Sequence, residues 1–154
     1  MKTSSLRCEQ FIRRPLPDVF KFFENPRNLA RITPPELGFE ILTPGDIQMK
    51  PGALIDYRVR VAGFPVRWRT LITAYDPPRR FVDEQLKGPY SFWHHEHTFV
   101  EKDGGTLITD AVTFALPFDA GGLAERWFVR PQLERIFDYR RQVITGLFDG
   151  EAVG

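Results

Sequence analysis

An α+β fold, an antiparallel meander closed by one long C-terminal helix, is what this sequence predicts. Three observations lead there. Between Gly38 and Pro117 the chain repeats short runs of alternating hydrophobicity with turn residues between them, the sharpest being Asp103-Gly104. From about Gly121 to Phe148 the apolar residues return at helical spacing instead. The composition, 42% hydrophobic with a formal net charge of +1, supplies a core and disfavours both disorder and broad attraction to nucleic acid. At 154 residues, with no repeat or linker, residues 1–154 are expected to form one domain whose core needs no staples.

The elements follow in order. Residues 4–13 alternate Leu6, Cys8, Gln10 and Ile12 against Arg7, Glu9 and Phe11, a strand ended by Pro15 and Pro17. Those prolines prime a helix whose Val19, Phe20 and Phe23 share a stripe, stopped by Asn25-Pro26. A second short helix with Leu29 and Ile32 ends before Pro34-Pro35. Strands are then expected at Gly38–Thr43, Ala53–Ala62, Val66–Asp76, Arg80–Leu86, Phe92–Lys102 and Thr106–Pro117. Their short connections make them antiparallel neighbours. In the last helix Leu133, Ile136, Phe137, Val143, Ile144 and Leu147 lie near one face, with Arg140 an exception that either snorkels or pairs with an acid. Pro131 should bend or split this helix. Arg126, Arg130, Arg135 and Arg141 line much of its remainder; with acids nearby and little net charge, they read as a solvated face rather than an anion-binding one.

The hairpin around Asp103-Gly104 is the most informative stretch. If Lys102 pairs with Gly105, His97 stands opposite Asp110, His95 opposite Val112, Trp93 opposite Phe114 and Phe99 opposite Ile108. The face carrying these residues is the apolar one and should point inward. Two histidines and an aspartate therefore sit among aromatics. His94 has the opposite parity and reads as solvent-facing.

Cys8 is the only cysteine, which excludes an intramolecular disulfide framework and suits a reducing compartment. The N-terminus carries no apolar signal-like run and no stretch approaches a membrane span, so a cytoplasmic protein without integral membrane association is expected.

The order of elements resembles the helix-grip fold of the START-like, polyketide-cyclase/dehydrase (SRPBCC) superfamily. Local phrases resemble one of its bacterial branches: Ile32-Thr33-Pro34-Pro35, Trp68-Arg69, Phe81-Val82-Asp83-Glu84-Gln85, Gly88-Pro89-Tyr90, the alternating Trp93, His95, His97 and Phe99, Gly105-Thr106, Asp110, Leu116-Pro117-Phe118, and Ile136-Phe137 with Tyr139-Arg140. The resemblance spans nearly the whole chain and implies a curved sheet of about seven strands wrapped on the long helix. It also implies a cavity for an apolar molecule. Function still has to be argued from the site, because such folds host many functions.

A curved sheet closed by one helix encloses more volume than a helix face can fill. Tyr57, Trp68, Trp93 and Phe114 are expected to wall that volume, with Tyr57, His95, His97 and Asp110 as its inward polar groups. Asp83 and Gln85 join them if the Lys87–Ser91 turn has the right parity: a three-residue loop sets Asp83 against His95, and a four-residue loop sets Glu84 there.

The expected function is binding of a small hydrophobic or amphipathic ligand, a lipid or an aromatic, polyketide-like metabolite. A second reading is a cyclase, dehydratase or hydrolase in which His97 and Asp110 form a catalytic acid–base pair. A third is a protein-interaction module. His95, His97 and Asp110 also make a two-histidine, one-carboxylate set. The H-x-H motif alone is weak and no fourth ligand presents itself, so neither metal nor cofactor is expected. The expected partner is a small hydrophobic molecule, with no nucleic acid, and the protein a monomer or weak homodimer.

Overall fold

The computed structural model describes residues 2–61, 63–118 and 122–153, with side chains followed through Phe148. Strand β1 is Ser4–Ile12, β2 Glu40–Ile41, β3 Leu54–Val61, β4 Phe64–Asp76, β5 Arg80–Lys87, β6 Phe92–Lys102 and β7 Gly105–Ala115. Helix α1 is Leu16–Phe23 and α2 is Arg130–Val153. The seven strands form one antiparallel sheet in the order β1-β7-β6-β5-β4-β3-β2. This is the helix-grip arrangement: a meander from β2 to β7, with β1 returning to the β7 edge and α2 across the inner face.

The β6–β7 register is the one counted from the turn. Lys102 pairs with Gly105, His97 with Asp110, His95 with Val112 and Trp93 with Phe114. Asp103 at φ 48° and Gly104 at φ 77° are both left-handed, as the tight primed turn requires. Between Ile72 and Ala74 the β4–β5 register shifts, so Thr73 is an extra residue on β4. Such a bulge bends its strand and exchanges inward and outward positions beyond it. Trp68, Thr70 and Ile72 are buried before the shift. After it the inward position is Tyr75, whose ring lies 6.1 Å from that of Phe20.

Two sequence expectations change. The second short helix is a 3₁₀ helix over Pro26–Ile32, capped by the Asn25 side chain accepting from the Arg27 amide at 3.1 Å. Seven residues confined by Pro26 and Pro34 suit the tighter winding. The last helix continues past Phe148 to Val153, while Gly121 and Ala62 lie outside the described residues. A π-helical turn over Glu125–Val129 precedes Pro131. Widening there removes the demand for an amide at the proline and eases its ring past the preceding turn.

Side chains bind α2 to the sheet edge. Gln10 Nε2 donates to Arg141 O and Thr145 Oγ1, both at 3.0 Å, and Arg141 donates to Glu9 O. Arg130 reaches Ser5 O at 3.1 Å, and Arg135 pairs with Glu36. The helix arginines expected to form a solvated face thus include three that hold α2 in place. Where β1 ends, it crosses close over β7: a Cβ on Gly105 would lie 2.4 Å from Ile12 O and 2.7 Å from Phe11 Cζ.

The buried apolar residues form two clusters. One joins β1, α1 and the far end of α2 through Ile12, Val19, Phe20, Phe81, Phe99 and Ile144; the other contains Trp68, Trp93, Val112, Phe114, Leu133 and Phe137. Just before α2 the side chains of Phe118, Leu123, Trp127 and Phe128 are exposed. Among the described residues no helix is long and apolar enough to cross a membrane.

Candidate ligand cavity and its buried polar cluster

Between the sheet, the 3₁₀ segment and α2 lies a cavity of about 310 Å³. The alternation of β3 to β6 sends Tyr57, Trp68, Asp83, Trp93, His95 and His97 onto its wall. Tyr57 stacks on Trp68 with centroids 5.8 Å apart, and Trp68 meets Trp93 edge-on at 5.2 Å. Tyr57 Oη and Thr70 Oγ1 share one hydrogen bond of 2.9 Å. Burial pushes the Tyr57 phenol further above its ordinary pKa, so it stays a neutral hydroxyl.

On the cavity wall, between the two apolar clusters, is a polar layer. The Lys87–Ser91 turn sets Asp83 opposite His95. Gln85 fixes that turn: its Nε2 donates to Tyr90 O at 2.7 Å and its Oε1 accepts from the Tyr90 amide at 3.1 Å. Gly88 leaves room for this clamp, since a Cβ there would stand 2.6 Å from Gln85 Oε1. The two imidazoles stack at 3.7 Å, and Phe81 stacks on the other face of His97 at 4.1 Å.

Each histidine takes its shortest bond from the carboxylate not directly across the ladder. His97 Nε2 bonds Asp83 Oδ2 at 2.6 Å, and His95 Nε2 bonds Asp110 Oδ1 at 2.8 Å. His97 Nδ1 lies 3.4 Å from Asp110 Oδ1, so the directly opposed pair is the looser contact. Arg140 Nη1 approaches the same oxygen at 3.5 Å, its guanidinium lying over Phe137 at 4.8 Å. Pairing with an acid is therefore how the helix tolerates this arginine, which is only 8% exposed.

Burial opposes charge on His97, but hydrogen bonds and charges from Asp110 and Asp83 outweigh it and raise its pKa. For His95, burial and then the neighbouring His97 charge win over the carboxylates and lower its pKa. Burial pushes Asp110 up, yet His95, His97 and Arg140 hold it well below the usual carboxylate range. Asp83 is lowered by the histidines against the same burial. The carboxylates thus favour a proton on His97 over one on His95. Charged His97 contributes stability that is complete below about pH 6.5 and lost as pH rises through its raised folded value. Neutral His95 contributes above about pH 6.5 and loses this as pH falls through its lowered folded value. Imidazole NMR titration is expected to give two separated steps, His97 above and His95 below about 6.5; coincident steps would contradict the split.

Of the residues expected at the site, Tyr57, Trp68, Asp83, Trp93, His95 and His97 reach the cavity wall. Three do not line it. Asp110 lies behind the imidazoles, Phe114 is packed into the second apolar cluster, and Gln85 is occupied by the turn. Tyr90, Phe137 and Arg140 line the wall as well; Phe137 lay on the apolar face of the last helix and Arg140 stood out as a charge inside that stripe, but neither they nor Tyr90 were expected at the site. Donor atoms of Asp83, His95 and His97 fall within 4.8 Å of one another, so the two-histidine set that could take a metal is completed by Asp83 rather than Asp110. In this arrangement His97 Nε2 and Asp83 Oδ2 are already bonded to each other.

The family described as "Polyketide cyclase / dehydrase and lipid transport" matches residues 12–148. The chain belongs to that family. No curated protein matches it by sequence. Among solved structures, the Zhui aromatase/cyclase from a Streptomyces species is similar at 19% identity and TM-score 0.75, with 96% of this chain and 94% of that one covered. Major latex-like protein 151 from Panax ginseng is similar at 16% identity and TM-score 0.68, with 95% and 97% covered. At such identities the likeness is one of fold.

Proposed function

We propose that this member of the polyketide cyclase/dehydrase and lipid transport family binds a small hydrophobic or amphipathic molecule in its internal cavity. The observation that carries the reading is the wall itself: about 310 Å³ lined mainly by aromatic and aliphatic side chains, with a buried polar cluster on part of that wall. Tyr57, Trp68 and Trp93 supply flat apolar contact, and Asp83, His95 and His97 orient the ligand. Native mass spectrometry of the purified protein, followed by denaturing extraction, tests it. A released lipid or aromatic metabolite is the expected result. A protein that is empty and also takes up no hydrophobic probe would sink the reading and turn attention to the exposed Phe118, Leu123, Trp127 and Phe128 as an interaction surface.

A second reading, proton transfer on the bound ligand, is favoured by one observation: His97 lies on the cavity wall between two carboxylates that raise its pKa. His97→Ala separates the two. As a binding protein the variant should change affinity severalfold, with no turnover to lose. As an enzyme it should lose turnover by about 10²–10⁴-fold while ligand uptake persists, the usual worth of a positioned acid or base.

A further inference from the structure

The two stacked imidazoles bridge two carboxylates, and both rings do so in the same sense. His95 Nε2 and His97 Nδ1 face Asp110 Oδ1, at 2.8 and 3.4 Å. His95 Nδ1 and His97 Nε2 are left facing Asp83, and both look onto the same oxygen, Oδ2, at 3.8 and 2.6 Å. Trp93 Nε1 reaches the other oxygen, Oδ1, at 3.4 Å, which leaves Oδ2 to the rings. Donor atoms of Asp83, His95 and His97 fall within 4.8 Å of one another, and all three residues line the cavity.

A histidine that binds a metal offers one nitrogen to the ion and gives the hydrogen on the other to a carboxylate, which fixes its tautomer and ring orientation. Asp110 stands in that supporting place behind both rings. It is ill suited to take the ion itself, because the Arg140 guanidinium lies 3.5 Å from its Oδ1. Asp83 instead meets the two histidines and the Trp93 indole. With both imidazoles neutral, as ligation requires, Asp83 and Asp110 outweigh Arg140 by one negative charge. Arg60 also lines the cavity, but it is exposed at the far end of β3, roughly 20 Å along the sheet from the level of Asp83. Tyr57 on β3 and Cys8 on β1 are kept neutral by burial.

Beyond the cavity reading, and without depending on it, we propose that Asp83 Oδ2, His95 Nδ1 and His97 Nε2 form a site for one divalent first-row transition-metal ion, with Asp110 as the positioning residue behind both histidines. Two imidazoles and one carboxylate suit such an ion, whereas calcium and magnesium take oxygen ligands. The hydrogen shared by His97 Nε2 and Asp83 Oδ2 leaves as the ion enters, because the donors must be deprotonated. An ion there and a proton on His97 Nε2 exclude each other, so the site competes with the proton-transfer reading for that nitrogen.

Zinc is the probe, titrated calorimetrically into untagged, chelator-treated wild-type protein. Saturable binding of one ion per chain is expected. The chain has three histidines, so NMR locates the ion without any substitution. Zinc should shift the imidazole signals of His95 and His97 and leave those of His94, on the other face of β6, in place. Asp110→Asn keeps all three ligands and should weaken binding by about 10–100-fold, the usual worth of a carboxylate behind a ligating histidine, with the same two signals still shifting at saturation. Asp83→Ala removes a ligand and should weaken binding further, whereas His94→Ala should leave it unchanged. No saturable zinc binding by the wild-type protein overturns the proposal whether or not any variant folds. Zinc that shifts only His94, or that binds Asp83→Ala as tightly as wild type, overturns it as a surface site. Each of these failures leaves the cavity reading, which ligand extraction tests, untouched.

Discussion

Asp110→Ala is expected to lower the folding free energy by about 3–5 kcal/mol, the range for removing one partner from a buried ion pair. The carboxylate sits at a three-way junction. It takes the 2.8 Å bond of His95, stands 3.4 Å from His97 and is the acid nearest Arg140 at 3.5 Å. Without it the Arg140 charge is buried with no acid beside it, and His95 loses the bond that fixes its tautomer. At about 2–4 °C per kcal/mol for a chain of this size, the melting temperature should fall by roughly 10 °C. Asp110→Asn keeps the shape and an acceptor, so it should fall less than the alanine variant. A loss below about 1 kcal/mol for Asp110→Ala would mean that the cluster is open to water and that the carboxylate contributes little to the fold.

Gly105→Ala should be of similar size for an unrelated reason. The obstacle to its Cβ is not a flexible side chain but the Ile12 carbonyl, 2.4 Å away, with the Phe11 ring at 2.7 Å. Ile12 pairs with Thr106 in the β1–β7 ladder, so the strand cannot step aside without breaking register from its end. Overpacking typically costs about 1–3 kcal/mol, and a backbone obstacle puts this substitution at about 3 kcal/mol or above. Chemical denaturation of the purified variant measures it. The same ladder sets Cys8 against Asp110, so slippage at Gly105 would also disturb the acid behind the histidines. A variant as stable as wild type would mean that β1 does not close over β7 as described.

Much of this was legible in the residues because a hairpin turn fixes parity. Asp103-Gly104 specified one register, and that register placed Trp93, His95, His97 and Asp110 on a single face. The Lys87–Ser91 turn was ambiguous for the opposite reason. Its geometry depends on the Gln85 amide folding back onto Tyr90, a side-chain contact with no periodicity to betray it. The crossed pairing of the histidines was hidden as well, since ladder position gives the opposite neighbour but not the diagonal one that a ring nitrogen reaches. Thr73 looks like any strand residue, so nothing announced the bulge that turns Tyr75 inward. Asp110 and Phe114 face inward as the alternation required, yet neither reaches the open volume. Facing the core and lining a cavity are different properties, and only packing against α2 separates them.

The placement of the three tryptophans has an optical consequence. Trp68 and Trp93 are close, nearly perpendicular and buried in the cavity wall, with Tyr57 and Tyr90 beside them, while Trp127 is 66% exposed. Light absorbed by those tyrosines can be passed to the paired indoles, and so close a pair should also produce coupled bands in circular dichroism. A dissolved quencher such as acrylamide should silence Trp127 first. The emission that survives comes from the cavity, so the protein carries its own lamp and detector where a ligand would sit.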